Sequence, residues 1–208
     1  MDVWGVVVAG GGGSRYGGLK QFELLAGRRV LDWSIAALAP VCRGVVVVVP
    51  AAVLDQLQLP MDVVGVAGGH TRSDSVRAGL DALPVSASHV LVHDAARPLV
   101  TAEVVGRVRD ALAGGAVAAV PVMPVTDSLR MMEGRAVDRS GLVAVQTPQG
   151  FRVDVLRLAH SEGDTATDDA SLVDRLGLTV VHVEGDPTNM KITDPHDLRI
   201  AEVLLHDR

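Results

Sequence analysis

The chain opens on an apolar run, Val3-Trp4-Gly5-Val6-Val7-Val8, that stops in Ala9 and four successive glycines, Gly10, Gly11, Gly12 and Gly13. β-Branched residues suit a pleated strand better than a helix, and a run with no polar alternation needs both of its faces covered. That is the situation of a parallel strand inside an α/β sheet, and the glycines then turn the strand end into a loop with little side-chain bulk. A chain that begins this way has to supply helices for both faces of its sheet.

The rest of the sequence supplies them. Leu31, Ile35 and Leu38 recur at helical spacing before Pro40 and Gly44 introduce a second strand, Val45–Val49. Further strands are expected at 63–66, 90–93 and 117–120, with helices at about 73–83 and 102–112. Five strands separated by helices predict one domain over residues 1–208 in the α/β class, a doubly wound and mainly parallel sheet with right-handed crossovers.

Residues 121–146 break the alternation. Two short alternating segments flank Glu133-Gly134, which predicts a protruding β-hairpin arm. Met123, Leu129, Met131 and Met132 would be exposed on such an arm, so it is expected to pack on a second subunit and make a homodimer; the alternative is an arm folded back on its own domain. Helices follow at 153–160 and 168–176, the second with Thr167 as its expected cap. A strand at 180–183 and an extended Asn189-Met190-Lys191-Ile192-Thr193 segment come next. Asp194 at the cap and Pro195 at the first helical position start a final helix reaching 205.

Composition removes several function classes. The net charge is -6, Lys and Arg form no run, and only five residues are aromatic, which leaves neither the clustered cations nor the stacking platforms of a nucleic-acid surface. No apolar stretch approaches the length of a membrane span, and Met1-Asp2-Val3-Trp4 lacks the basic region of a signal peptide, so a soluble, cytoplasmic protein is expected. Cys42, the single cysteine, allows no internal disulfide and reads as a small apolar residue. Of 19 basic residues only Lys20 and Lys191 are lysine. A compact ammonium does what the broad guanidinium fork cannot where phosphate oxygens crowd together, so these two positions are a test for any proposed site.

The loop from Ala9 through Ser14, Arg15, Gly17 and Gly18 to Lys20 carries the strongest chemical signal. Glycines at the carboxyl end of a first parallel strand let backbone amides approach anionic oxygens. A dinucleotide fingerprint would open a helix directly after its last glycine, whereas this loop runs on; a P-loop would need Gly-Lys-Ser/Thr, which is absent. A glycine loop closed by Arg15 and Lys20 suits a triphosphate.

This loop with Gln21, Gly68-Gly69 followed by Arg72-Ser73-Asp74-Ser75-Val76, the stretch His93-Asp94-Ala95-Ala96-Arg97-Pro98, Thr147-Pro148-Gln149 and the Asn189–Thr193 segment together resemble the 2-C-methyl-D-erythritol 4-phosphate cytidylyltransferase family. The five motifs stand in the family's order over nearly the whole chain. The resemblance implies a Rossmann-like nucleotidyltransferase fold, CTP and a sugar-alcohol phosphate as substrates, a magnesium cofactor, and a place in isoprenoid precursor synthesis. It implies that Ala9, Gly10, Gly11, Gly12, Gly13 and Ser14 hold the CTP phosphates, that Gly69, Ser75, Asp94 and Ala95 complete the nucleotide site, and that Arg15, Lys20 and Lys191 are the catalytic cations. Asp94, Arg97, Thr147 and Thr193 would face the second substrate, Ser128 and Arg139 would reach it from the partner subunit, and Asp94 would be the metal ligand. Val8, Gly10 and Leu19 depart from the family's usual residues without removing a charge. His70 stands where an acidic residue is common, and Ser128 replaces a threonine. Ribitol 5-phosphate as the acceptor, and a non-catalytic nucleotide-binding paralogue, are the competing readings.

Overall fold

A computed structural model of the protein describes residues 1–11, 16–161 and 166–206. In chain order it contains β1 (Val3–Val8), a single 3-10 turn (Lys20–Phe22), β2 (Leu24–Leu25), β3 (Arg28–Arg29), α1 (Val30–Leu38), β4 (Val45–Val49), α2 (Ala51–Leu54), β5 (Val63–Ala67), α3 (Arg72–Asp81) and β6 (His89–Asp94). There follow α4 (Ala102–Ala113), β7 (Ala118–Pro124), β8 (Leu129–Arg130), β9 (Ala136–Val137), β10 (Val143–Val145), β11 (Gln149–Arg152), α5 (Val153–Ala159), α6 (Ala170–Arg175), β12 (Val180–Glu184) and α7 (Pro195–His206).

The main sheet runs β5-β4-β1-β6-β11-β7, with β10 continuing the pairing along β7 and β12 on the other side of β7. β1 pairs in parallel with β4 and with β6, β4 with β5, and β7 with β12. The expected mainly parallel, doubly wound α/β sheet is therefore present. Within it β11 lies antiparallel between β6 and β7. This strand is not legible in the sequence, because Gln149-Gly150-Phe151-Arg152 has no β-branched residue and no alternation.

Strand pleating explains both cores. On β1, Val6 faces the layer that contains Val76 and Leu80 of α3, Leu156 of α5 and Leu172 of α6. Val3 and Val7 face the opposite layer, with Leu31 and Ile35 of α1 and Val104, Val105 and Val108 of α4. β4 splits the same way, Val46 and Val48 to one side and Val45, Val47 and Val49 to the other. Cys42 packs partly buried beside the second layer, and burial pushes its thiol up to about 12, consistent with an inert apolar role. A third cluster, Leu25, Val30, Leu99, Ile192 and Ala201, seats α7 against the β2–β3 hairpin.

Close packing at α3 makes a measurable demand. A Cβ at Gly79 would stand 2.5 Å from Val6 Cγ1 and 3.1 Å from Val48 Cγ2. Gly79→Ala gains about 1 kcal/mol of helix propensity, but overpacking a strand-backed site costs about 1–3 kcal/mol. Both neighbours are β-branched residues of central strands, so the steric term wins, and a lowered urea midpoint is expected. A raised midpoint would show that α3 can retreat from the sheet.

Side chains cap the starts of α3 and α7, whereas the expected cap of α6 is absent. Thr71 and Asp74 form a reciprocal capping box at α3, Thr71 N donating to Asp74 Oδ2 at 2.8 Å and Asp74 N to Thr71 Oγ1 at 3.0 Å. Asp194 caps α7, accepting from His196 N at 2.8 Å. Thr167, however, does not cap α6, which begins at Ala170 with Asp169 in the cap position. Gln149 Oε1 takes the Asp169 and Ala170 amides instead, at 3.1 Å each.

Between β7 and β10 the chain leaves the main sheet. β8 and β9 pair antiparallel through Leu129↔Val137 and Arg130↔Ala136, around a turn in which Gly134 takes φ 100°. Met131, Met132 and Leu142 are exposed on this excursion, as is Val143 at the start of β10. Met123 and Leu129, expected to be exposed, are half-buried. Residues at both ends of the 121–146 segment belong to the main sheet as the β7–β10 pair, which covers Met123. Among the described residues no helix is long and apolar enough to cross a membrane.

Candidate functional site

From β1 the chain crosses to β4 on one side and later returns to β6 on the other, so the carboxyl ends of β1 and β6 border a topological switch point, where open α/β sheets leave a crevice. Val8 lies opposite Asp94 in register, and Ala95 N donates to Val8 O at 3.0 Å. A cavity of about 360 Å³ opens there. That is within the size range of small-molecule sites.

Of the site residues expected from sequence, Ala9, Gly10, Gly11, Lys20, Gly69, Ser75, Asp94, Ala95, Lys191 and Thr193 line this cavity. Gly12, Gly13, Ser14 and Arg15 lie outside the described residues. The two lysines of the chain, one near each end of the sequence, thus meet in one cavity. Arg72 joins them, against Asp94 as the single carboxylate among the described lining residues. In a chain of net charge -6 this is a local reversal of sign, and it selects for an anion.

Each wall has a local cause. Gln21 is buried and its Nε2 donates to Ala9 O at 2.7 Å and Gly11 O at 3.3 Å. Because N–H and C=O of a trans peptide point in opposite directions, fixing the Ala9 carbonyl aims the Gly10 N–H away from Gln21. Gly17, at φ 86°, turns the chain ahead of Lys20. On the far wall a Cβ at Gly68 would lie 2.7 Å from Ser75 Oγ and one at Gly69 would lie 2.2 Å from Asp74 Cβ, so this Gly-Gly pair has to be bare for α3 to start where it does. The Lys191 segment is fastened to the Ala95-Ala96 turn by Ile192 N donating to Ala96 O at 2.8 Å.

Asp94 is the electrostatic centre. Burial alone would raise its pKa, but Arg72, Lys191 and Arg97 outweigh that and hold the carboxyl well below the usual carboxylate range. Lys191 Nζ donates to its Oδ2 at 2.7 Å, and Arg72 Nε approaches Oδ1 at 3.4 Å.

Arg97, Thr147, Ser128 and Arg139 are not among the lining residues. Arg97 donates to Asn189 O at 2.8 Å and Val145 O at 3.4 Å, which secures the segment carrying Lys191. Thr147, buried beside a cis Thr147-Pro148 bond, accepts from Asp94 N at 3.1 Å. Its Oγ1 also lies 3.0 Å from His93 Nδ1, and His93 Nε2 lies 3.1 Å from Arg97 O. A carbonyl can only accept, so Nε2 carries the proton and Nδ1 accepts from the Thr147 hydroxyl. Burial pushes His93 down to about 4 and keeps it neutral. Ser128 and Arg139 are exposed on the excursion between β7 and β10.

Tyr16, Gln21, His70, Thr71, Arg72 and Ala96 line the cavity without having been assigned a role from sequence. For Arg72 the available signal was its place just after Gly68-Gly69 at a helix start. For Gln21 the available signal was its place directly after the loop lysine.

Comparison with known proteins gives a consistent result. The family model described as "IspD: 2-C-methyl-D-erythritol 4-phosphate cytidylyltransferase" matches residues 3–207. The 2-C-methyl-D-erythritol 4-phosphate cytidylyltransferase of Prochlorococcus marinus is 42% identical, with 96% of each chain covered. A bifunctional enzyme IspD/IspF of Solidesulfovibrio magneticus is 45% identical over 95% of this chain; the chain spans 56% of that relative's length. The crystal structure of 2-C-methyl-D-erythritol 4-phosphate cytidylyltransferase from Thermus thermophilus superposes with a TM-score of 0.85 at 41% identity, covering 99% of this chain and 100% of that one.

Proposed function

The chain belongs to the 2-C-methyl-D-erythritol 4-phosphate cytidylyltransferase family, and on that premise we propose that it joins CTP to 2-C-methyl-D-erythritol 4-phosphate, giving 4-diphosphocytidyl-2-C-methyl-D-erythritol and pyrophosphate. The observation that carries this reading is the meeting of Lys20, Lys191 and Arg72 around Asp94 at the mouth of the β1–β6 crevice.

In this reaction an oxygen of the acceptor's phosphate attacks the α-phosphorus of CTP. The P–O bond to the β-phosphate breaks, and its electron pair leaves with pyrophosphate. A phosphate monoester has its second pKa near ~6, so the nucleophile is already ionised at neutral pH and needs no general base. His93, the histidine beside Asp94, accordingly stays buried, neutral and committed to Thr147 and Arg97. The chain's own contribution is charge and position: Lys20 and Lys191 act on oxygens that gain charge, and the Ala9–Gly11 backbone and Gly69 shape the nucleotide side.

Magnesium, as the resemblance implies, fits an ion carried mostly by the nucleotide's phosphates. Among the described residues no three His, Cys, Asp or Glu side chains converge, and Asp94 is the carboxylate that would hold it. Bound there, the ion would neutralise phosphate charge. We further place the work in a homodimer in the cytoplasm. Ser128 and Arg139 do not line their own subunit's cavity, and exposed Met131, Met132, Leu142 and Val143 offer an apolar surface around them for a second copy.

The test is pyrophosphate release from CTP and magnesium with methylerythritol 4-phosphate and, in parallel, ribitol 5-phosphate. Faster turnover with the first acceptor is expected. Faster turnover with the second would replace the acceptor, and none with either would leave nucleotide binding alone.

A further inference from the structure

Asp169 is completely buried and does not line the cavity, yet its carboxylate grips a residue that does. Its Oδ2 lies 2.8 Å from Arg72 Nη1, and its Oδ1 lies 3.0 Å from Nε2 of His160, which is also buried. A carboxylate in such a place is strongly unfavourable unless paired. At the cap position of a helix it would ordinarily bond the first-turn amides. Here Gln149 Oε1 takes two of those amides, and Asp168 Oδ1 takes the Ser171 amide at 3.2 Å. The start of α6 is therefore satisfied without the Asp169 side chain, whose carboxylate faces Arg72 and His160 among the described residues.

The two carboxylates around Arg72 do not share it equally. Arg72 Nη1 stands 2.8 Å from Asp169 Oδ2 as a close ion pair without an aligned hydrogen bond, whereas Arg72 Nε makes a long hydrogen bond of 3.4 Å to Asp94 Oδ1. Arg72 is thus shared between the two, drawn closer to the buried carboxylate than to the one in the cavity. Ser73, its neighbour, accepts from Ala166 N at 3.3 Å, so the segment before α6 is docked on the first turn of α3 at two points.

We propose that Asp169 is a positioning residue for nucleotide transfer. By attracting Arg72 from behind, it keeps the guanidinium shared between two carboxylates, so that its pairing with Asp94 stays long and both groups remain presented to the ligand in the cavity. The inference rests on the cytidylyl-transfer reading above. Without the Asp169 charge, the Arg72–Asp94 pair tightens, and it has to be broken each time nucleotide enters.

The experiment is a double-mutant cycle of Asp169→Asn and Arg72→Gln, read by kcat/KM for CTP and by CTP affinity in calorimetry. Asp169→Asn is expected to lower kcat/KM about tenfold when Arg72 is present and less than about twofold in the Arg72→Gln background, with the same pattern in affinity. Equal losses in both backgrounds mean a merely structural role and overturn the proposal, as does a wild-type kcat/KM in Asp169→Asn. If circular dichroism shows that Asp169→Asn alone does not fold, the double variant is compared with Arg72→Gln: matching kinetics support the proposal and a further tenfold loss overturns it. Should the wild type bind CTP but turn over no acceptor, the transfer reading fails, and the same cycle in CTP affinity decides on Asp169.

Discussion

A Lys191→Ala variant is expected to lose about a hundred- to a thousand-fold in kcat/KM for CTP, the range seen when one group that stabilises developing charge is removed from a preorganised site. Lys20→Ala should lose about as much. Lys191 acts twice. It supplies positive charge to the cavity, and through its 2.7 Å bond it helps hold Asp94 ionised. A more specific expectation concerns arginine at the same positions. In a chain with 17 arginines, both lysines line the cavity at the β1–β6 crevice. If the compact ammonium is what these positions require, Lys20→Arg and Lys191→Arg should recover less than about a tenth of the lost rate. Steady-state pyrophosphate release measures this directly. Arginine variants with wild-type kinetics would sink the point-charge argument, and full turnover in Lys191→Ala would remove Lys191 from the chemistry.

The second large effect is on stability below neutral pH. His93 is pushed down from 6.5 to about 4 by burial, against the favourable pull of Asp94. Its folded pKa is depressed, so the unfolded chain takes up a proton first. The contribution is intact above about pH 6.5 and is lost as pH falls toward about 4. The loss amounts to about 2–3 kcal/mol between pH 7 and pH 4.5. Asp94 works in a separate window. Its lowered pKa gives stability that is present above the ordinary value of 3.8 and lost only below it. Urea unfolding at the two pH values should therefore show a steep loss in the wild type and a much smaller one in His93→Gln. That variant keeps a donor for Arg97 O and an acceptor for Thr147, at a lower stability at pH 7. Parallel losses in the two proteins would move the acid sensitivity elsewhere.

The two halves of the cavity were legible to different degrees. The loop after β1 could be read because glycines, a strand end and a lysine are adjacent in sequence. The stretch from His93 to Arg97 could be read for Asp94, but not for the division of labour the structure reveals. Asp94 and Lys191 line the cavity, whereas Arg97 and Thr147 brace it from behind through Asn189 O, Val145 O and the Asp94 amide. Nothing local in the sequence shows that the Arg97 guanidinium meets two backbone carbonyls. Arg72 shows the converse: its neighbours Asp94 and Asp169 are distant in sequence, so its place in the cavity became visible only once α3, β6 and α6 were packed together.

By itself the sequence determined the type of the strongly patterned elements, because apolar spacing and cap residues act within a few positions. Val3–Val8 and Val45–Val49 could only be buried strands, and Asp194-Pro195 could only start a helix. It also determined the charge chemistry of the first loop and, through the sparing of two lysines, where a second cation had to be sought. Tertiary structure alone decided which strands are neighbours. The apolar cores of β1, β4 and β6 are interchangeable as local signals, and β11, which separates β6 from β7, carries almost no strand signal of its own. Adjacency follows from burying both faces of the whole sheet at once. That same burial brings Lys20 and Lys191 to one cavity and sets Asp169 behind Arg72.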